Sequence, residues 1–188
     1  PRVSIVIPTY NRAHFLREAL ESVRQQSVKD VEILVVDDAR PTDDTAQVTQ
    51  GFGRNVVYLV ESQPGVSAAR NTGIRHARAP LIAFLDADDL WLPGKLERQL
   101  EYLRCHPHVG LLYARLWSYD LGEPDKRRLD PPMVARTFSE LLNGPNTVTT
   151  STVVVRRECF ELCGVFNPSL RAAEDHELWL RIARRFPI

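Results

Sequence analysis

The chain has little of what marks several large classes of protein. Its 188 residues include three cysteines, and 24 basic residues balance 24 acidic ones. So few cysteines, odd in number, argue against a disulfide scaffold and for a reducing compartment. A net charge of zero disfavours a general nucleic-acid binder, since such proteins are usually basic. No apolar run approaches the roughly 20 residues of a membrane-spanning helix, and no signal peptide opens the chain.

Several familiar site motifs are missing as well. No GxGxxG follows the first predicted strand and no Gly-Lys-Ser/Thr loop occurs, which counts against dinucleotide and P-loop binding. Cys159 and Cys163 are four residues apart, and Cys105, His106 and His108 cluster elsewhere. Neither group has a standard zinc-ligand spacing, so we expect the three cysteines to be buried apolar side chains.

The first half of the chain alternates strand and helix patterns. Apolar, β-branched runs predict strands at 3–7, 31–36, 56–60 and 81–85, and the segments between and after them predict helices at 15–23, 42–51, 65–76 and 93–105. Four successive βα units predict an α/β fold with a mostly parallel, Rossmann-like sheet flanked by helices. In such sheets, ligands bind beyond the carboxyl ends of the strands.

The second half of the chain is less regular. Its patterns predict strands at 109–118 and 147–155, a mobile polar loop at 122–132, a short helix at 157–163 closed by Gly164, and a last helix at 174–185. There is no internal repeat and no low-complexity tract.

Acidic residues follow the second and fourth predicted strands. Asp37-Asp38 ends one, Asp86-Ala87-Asp88-Asp89 ends the other, and Pro8 to Arg12 follows the first strand. All three clusters should lie at one edge of the sheet. Asp86 and Asp88 are two apart, so in an extended segment they point to the same side and suit Mg²⁺ or Mn²⁺ with ligand phosphates. The alternative is that these acids cap the next helix.

The other polar residues of this edge also have two interpretations. One carboxylate of Asp37-Asp38 can accept a nucleobase N–H while the other orients a loop, and Tyr10 can offer its ring to that base. The alternatives are that Asp37-Asp38 is a polar end of the strand and that Tyr10 packs at the start of the next helix. Arg70 can pair with the strand-two carboxylates or a diphosphate, or form a structural ion pair. Glu174-Asp175 can simply stabilise a helix dipole.

Taken in order, these stretches resemble the family two glycosyltransferases. The matching segments are Val3–Arg12, Val35–Asp38, Gly65–Gly73, Phe84–Asp89 and Glu174–Arg181. They follow the family's order at about its spacing and extend over nearly the whole chain. The resemblance implies the GT-A (nucleotide-diphospho-sugar transferase) fold and an inverting transfer from a nucleotide sugar.

The resemblance also implies a role for each site residue. Asp88 would bind the metal at the diphosphate, Asp86 would contact the ribose or the metal, and Asp175 would be the catalytic base. The remaining donor-binding residues would be Pro8, Thr9, Tyr10, Asn11 and Asp38, with Arg70 close by. The chemistry of glycosyl transfer agrees, because it needs a stabilised diphosphate leaving group and an activated acceptor hydroxyl.

We therefore expect one catalytic domain over 1–188, with a donor-binding half at 1–105, an acceptor-side half at 106–188, and further segments outside this chain. The expected reaction is metal-dependent (Mn²⁺ or Mg²⁺) transfer from a UDP-sugar to a glycan, lipid-linked or other hydroxyl acceptor in polysaccharide or cell-envelope synthesis. The expected location is the cytoplasm or the cytoplasmic face of a membrane, with no nucleic-acid partner. The alternatives are a nucleotidyltransferase that makes nucleotide sugars and a non-catalytic nucleotide- or glycan-binding module.

Overall fold

The computed structural model describes residues 1–38, 42–120, 122–129, 137–144 and 148–188. Within these ranges, the strands are β1 (Val3–Thr9), β2 (Val31–Asp37), β3 (Val56–Val60), β4 (Leu81–Phe84), β5 (Leu111–Leu112), β6 (Trp117–Asp120), β7 (Glu123–Leu129) and β8 (Val154–Arg156). The α-helices are α1 (Ala13–Arg24), α2 (Thr45–Gln50), α3 (Val66–His76), α4 (Lys95–Cys105), α5 (Phe138–Asn143), α6 (Arg157–Cys163) and α7 (Glu174–Ala183).

Six of these strands form one sheet in the order β3-β2-β1-β4-β8-β5. Strands β3, β2, β1 and β4 run parallel, whereas β8 is antiparallel to both β4 and β5. The prediction of four βα units and a mostly parallel sheet is confirmed. Every residue of β1 is buried, which explains its largely apolar sequence, because a parallel strand is covered on both faces.

Each face of the sheet has its own apolar core. Helices α1, α2 and α4 pack on one face, where Leu16, Leu20 and Leu100 are buried. Helices α3, α5, α6 and α7 pack on the other, around Trp179 and Phe166. The alternating chain thus places its helices on both sides of the sheet and leaves the carboxyl ends of the strands open.

The second half differs from its predictions in three places. The strand predicted at 109–118 is interrupted, since only Leu111–Leu112 joins the main sheet and Trp117–Asp120 belongs to a separate hairpin. The predicted loop at 122–132 contains β7, which pairs with β6, while 130–132 lie outside the described residues. The hairpin is exposed on both faces of β6, so no apolar alternation marks it.

The strand predicted at 147–155 is mostly not a strand. Thr147 lies outside the described residues, Thr150–Thr152 forms a 3₁₀ turn, and strand pairing starts only at Val154. Threonine and valine favour strands, but the turn here brings Thr150 and Ser151 to the carboxyl end of β4. The short helix ending at Gly164 is confirmed, with Gly164 at a φ of +78°.

Two glycines, one within α3 and one just before it, are required by the fold. Gly73 packs against β1, where an added Cβ would lie 2.3 Å from Cγ1 of Val6. Gly65, just before the helix, has a φ of +114°, a conformation that side-chain-bearing residues rarely adopt. Together they bring the first turn of α3 close to the ends of β1 and β2. None of the helices in the described ranges is both long and apolar enough to cross a bilayer.

Candidate active site

A cavity of about 350 Å³ opens at the carboxyl ends of β1, β2 and β4. It brings together residues from the three strand-end clusters and from the first turn of α3. Its lining consists of Pro8, Thr9, Tyr10, Arg12, Asp38, Gly65, Val66, Ala69, Asp86, Ala87 and Asp88. The small residues Gly65, Ala69 and Ala87 and the exposed ring of Tyr10 leave room for a flat ring system beside the carboxylates.

The two aspartates at the end of β2 differ in their surroundings. Asp38 lines the cavity, and its Oδ2 accepts a hydrogen bond from the Gly65 N–H at 3.1 Å. Asp37 is fully buried, and Tyr58 donates its hydroxyl to Oδ2 of Asp37 at 2.9 Å. Burial raises the pKa of Asp37 and, with the bond to Asp37, raises the pKa of Tyr58 to about 12. Asp38 is therefore the carboxylate that a ligand can reach.

Asn11 does not line the cavity, although the sequence placed it among the donor-binding residues. It has a φ of +51°, and its Oδ1 accepts hydrogen bonds from the N–H and hydroxyl of Thr42 at 2.8 and 3.0 Å. These bonds tie the segment after β2 to the exit of β1. Asn11 shapes the border of the cavity, while its neighbours Thr9 and Tyr10 reach the interior.

Arg70 lies beneath the cavity and joins two carboxylates. Its Nη2 donates to both oxygens of Asp86 at 2.9 and 3.1 Å, and its Nη1 donates to Glu174 at 2.8 Å. The guanidinium also lies 5.3 Å from the ring centre of Phe166. Of the alternatives for Arg70, the structure has an ion pair, formed with Asp86 and Glu174 rather than with the strand-two carboxylates. This pair links the end of β4 to the start of α7.

Asp88 is the more accessible carboxylate of the Asp-x-Asp pair. It forms an ion pair with Arg12, and both side chains are about half exposed. The capping alternative is wrong for Asp86, Asp88 and Asp89, because α4 begins at Lys95 after Gly94 and no side chain caps it. In the described part of the chain, no three His, Cys, Asp or Glu side chains form a metal cage. The oxygens of Asp86 and Asp88 instead fit Mg²⁺ or Mn²⁺ held by one or two carboxylates together with ligand phosphates.

Asp175 lies in the first turn of α7, and Thr150 connects it to the sheet edge. The Thr150 hydroxyl donates to Oδ2 of Asp175 at 3.2 Å. The next residue, Ser151, accepts a hydrogen bond from the Asp86 N–H at 3.0 Å on its Oγ. The 3₁₀ turn therefore contacts both the candidate base and the end of β4. Asp175 itself does not line the donor cavity.

Arg12, Thr150 and Ser151 are site residues to which sequence reasoning assigned no role. Arg12 lies three residues after the end of β1, and this position near a strand end is the signal that could have identified it. Thr150 and Ser151 carry no such signal, because the sequence around them predicts a strand and not the end of one. The expectation of buried cysteines is confirmed for Cys159, which lies in the core of one sheet face, but it is wrong for Cys105, which is exposed on α4. Cys163 is half-buried at the end of α6, so its thiol is only partly covered.

The sequence model of glycosyl transferase family 2 matches residues 4–162, which contain every residue that lines the cavity. The chain belongs to glycosyl transferase family 2. The expected enzyme class, glycosyltransferase, is thereby confirmed at the level of the family. Asp175 lies beyond the matched range, so its role rests on the separate resemblance of the last helix.

Curated relatives cover nearly the whole chain. An uncharacterised glycosyltransferase of Rickettsia prowazekii is 29% identical over 98% of this chain and 59% of its own length. TuaG of Bacillus subtilis, a glycosyltransferase assigned to teichuronic acid biosynthesis, is 31% identical over 98% of this chain and 73% of its own. The Escherichia coli enzyme WfgD, a UDP-Glc:α-D-GlcNAc-diphosphoundecaprenol β-1,3-glucosyltransferase, is 29% identical over 97% of this chain and 70% of its own length. The chain thus spans about 59% of the Rickettsia relative.

Solved structures share the fold. TarS of S. aureus, solved in complex with UDP, superposes with a TM-score of 0.76 at 22% identity over 99% of this chain and 56% of that one. The mannosyltransferase PcManGT of Pyrobaculum calidifontis, solved with GDP-Man and Mn²⁺, superposes with a TM-score of 0.74 at 22% identity over 100% of this chain and 53% of that one. The predicted GT-A fold is confirmed by these neighbours.

Proposed function

We propose that this domain transfers a sugar from a nucleoside diphosphate sugar to an acceptor hydroxyl. The observation that carries the proposal is a cavity in which Asp38, Asp86 and Asp88 meet the exposed ring of Tyr10. In this proposal, residues 1–105 bind the donor and residues 106–188 supply the base and the acceptor side. Family membership favours this reading over a nucleotidyltransferase.

The donor side of the cavity would hold the nucleoside. Asp38 would accept the base N–H, the Tyr10 ring would stack on the base, and Pro8 and Thr9 would form the wall around the ribose. Asn11 would contribute indirectly, by holding Thr42 at the border of the cavity. UDP is our proposed nucleotide, supported by the UDP complex of TarS and by the UDP-Glc donor in the name of WfgD. GDP is the alternative, because PcManGT was solved with GDP-Man.

Asp88 would bind Mn²⁺ or Mg²⁺ together with the diphosphate, and Asp86 would contact the ribose or the same ion. When bound, such a cation acts as a Lewis acid that stabilises the negative charge of the leaving diphosphate. Arg70 would keep the Asp86 carboxylate in place, since it donates to both of its oxygens. The Mn²⁺ in the PcManGT complex supports this choice of ion.

Asp175 would act as the general base. It would take the proton of the acceptor hydroxyl while that oxygen bonds to the anomeric carbon. The bond from this carbon to the diphosphate would break at the same time, and the nucleoside diphosphate would leave with the electron pair. A single displacement of this kind inverts the anomeric centre, as in glycoside hydrolysis when a carboxylate activates a nucleophile on the opposite face.

For the acceptor, we propose a lipid-linked or glycan hydroxyl in cell-envelope polysaccharide synthesis. The names of WfgD and TuaG support this class, since one acts on a diphosphoundecaprenol-linked sugar and the other is assigned to teichuronic acid biosynthesis. The proposed location is the cytoplasm or the cytoplasmic face of the membrane, where nucleotide sugars and such acceptors meet.

The first experiment is a calorimetric titration of the chain with UDP, GDP, CDP and dTDP, each with and without Mn²⁺. We expect one nucleotide to bind in a metal-dependent manner and Asp88→Ala to abolish that binding. Asp30→Ala is the matched control, because Asp30 is an exposed acid at the opposite end of β2. Metal-dependent binding that survives Asp88→Ala contradicts the metal role, and no binding by the folded wild type favours a non-catalytic module.

The second experiment separates binding from transfer. Asp175→Asn should keep nucleotide affinity within about twofold and lower the transfer rate by at least 10²-fold, the usual contribution of a general base. Glu177→Gln is the control, because Glu177 lies in the same helical turn and loses the same charge but pairs with Arg181. Transfer by Asp175→Asn at the rate of the control would remove Asp175 from the mechanism.

A further inference from the structure

Negatively charged side chains outnumber positively charged ones in the lining of the cavity. Asp38, Asp86 and Asp88 contribute three carboxylates, and Arg12 is the positively charged side chain among the described lining residues. Arg70 lies below the lining and is occupied by Asp86 and Glu174. A diphosphate brought to these carboxylates meets repulsion unless cations intervene. Besides a divalent metal ion, Arg12 is the group within the lining that can supply positive charge.

Arg12 has a fixed backbone and an adaptable side chain. It immediately precedes α1, and its carbonyl accepts the Leu16 N–H at 2.9 Å, which anchors the residue. Its side chain is 48% exposed and bound to Asp88, which is 42% exposed. An ion pair with this much water around it contributes little to stability, so the guanidinium can exchange this partner for a more highly charged one at small cost.

We propose that Arg12 is a positioning residue that moves between two partners. With the cavity empty, its guanidinium neutralises Asp88. When a divalent cation takes Asp88, Arg12 turns to the diphosphate of the donor, to which its planar fork can donate two parallel hydrogen bonds. This inference rests on the proposed function, because it takes Asp88 as the metal ligand and a nucleoside diphosphate as the cavity's occupant.

The exchange gives Arg12 opposite effects on two ligands. Arg12 competes with a metal ion that arrives alone, because both need the Asp88 carboxylate. It supports the metal and nucleotide together, because the displaced guanidinium then gains the diphosphate. Metal and nucleotide therefore favour each other's binding through this one side chain, as linkage requires.

The test compares Arg12→Ala and Arg12→Lys with Arg17→Ala in the intact chain. Arg17 is exposed on the same helix and does not line the cavity, so it controls for the loss of a positive charge. Two titrations are made, Mn²⁺ alone and UDP at saturating Mn²⁺, with GDP, CDP or dTDP in place of UDP if one of them binds the wild type better. Melting temperatures verify that each variant is folded.

We expect Arg12→Ala to bind Mn²⁺ alone up to about fivefold more tightly, the scale of an exposed ion pair. We expect the same variant to bind the nucleotide with Mn²⁺ at least about tenfold more weakly, the scale of charge-assisted hydrogen bonds. Arg12→Lys keeps the positive charge but loses the planar fork of the guanidinium. Its affinity for Mn²⁺ alone should therefore resemble that of the wild type. Its nucleotide affinity should lie between those of the wild type and Arg12→Ala.

Unchanged affinities in Arg12→Ala, or a shift of both in the same direction, overturn the inference while the proposed function stands. Absence of metal-dependent nucleotide binding in the folded wild type overturns both. If Arg12→Ala does not fold, Arg12→Lys decides, since wild-type nucleotide affinity in that variant contradicts a role for the guanidinium fork.

Discussion

Replacing Arg70 by methionine should destabilise the domain by about 3 kcal/mol, because it leaves two carboxylates without their shared partner. The Arg70 side chain is 5% exposed, and its partners Glu174 and Asp86 are 15% and 31% exposed. Removing one member of a buried ion pair costs ~3–5 kcal/mol, and the partial exposure of Asp86 places this case at the lower end. Methionine has a long unbranched side chain that can occupy the space beside Phe166, but it gives up the guanidinium 5.3 Å from the ring centre.

The measurement is urea unfolding of both proteins, supported by thermal melts. For a domain of this size, 1 kcal/mol corresponds to roughly 2–4 °C, so the melting temperature should fall by about 6–12 °C. Arg75→Met is the matched control on the same helix. Arg75 is 61% exposed, and Glu61 retains the Gln63 N–H at 2.8 Å and the Thr72 hydroxyl without it. We expect the control to lose less than ~1 kcal/mol.

A second substitution tests whether uncompensated charge is the cause. Adding Glu174→Gln to Arg70→Met removes one of the two unpaired carboxylates, so the double variant should recover about 1 kcal/mol relative to Arg70→Met. A loss in Arg70→Met no larger than in Arg75→Met, or no recovery in the double variant, would refute the reasoning. Arg70 would then be a packing residue whose charge contributes nothing to the link between β4 and α7.

Two further predictions concern the frame around the site. Glu32→Gln should cost ~2 kcal/mol at neutral pH, because buried Glu32 accepts bonds from the Ser4 hydroxyl and from the N–H and Nε of Arg78, all at 2.6 Å. Burial alone would raise the pKa of Glu32, but these bonds outweigh it and lower the pKa. The stability that the bonds give is therefore lost as the pH falls and Glu32 is protonated. The difference in unfolding free energy between Glu32→Gln and the wild type should then shrink below about pH 4. An undiminished difference at pH 3 would contradict this. Gly73→Ala should destabilise the domain by ~1–3 kcal/mol in urea unfolding, despite its gain in helix propensity, because the new methyl group meets Val6. Adding Val6→Ala to the same chain should relieve part of this loss. Additive losses in the double variant would exclude the clash with Val6.

The parallel part of the fold was predictable because its strands carry their own signal. A strand buried on both faces reads as a largely apolar run, as β1 and β2 do, and α1 and α4 each bury one mainly apolar stripe. The strand-end rule then directed attention to Thr9, Asp38 and Asp86, which the structure brings to one cavity. Local patterns sufficed because each βα unit is local in sequence.

The remainder depends on contacts between distant segments. Strand β8 has three residues and exists because Val154 and Val155 pair with both β4 and β5. The β6–β7 hairpin is solvated, so no burial pattern distinguishes it from a loop. The hydrogen bonds of Arg12, Thr150 and Ser151 join segments far apart in the chain, and no motif in a single sequence encodes such partners.

The insertion of β8 between β4 and β5 has a consequence for synthesis on the ribosome. The amino-terminal segment emerges with β1 to β4 complete, but the outer edge of β4 stays open until a strand beyond α5 arrives. During that interval, an apolar parallel sheet presents unpaired backbone donors and acceptors, the kind of edge to which other chains add. The nascent chain should therefore need protection by chaperones until β8 has emerged. A fragment that stops before β8 should aggregate, even though it contains every residue that lines the cavity.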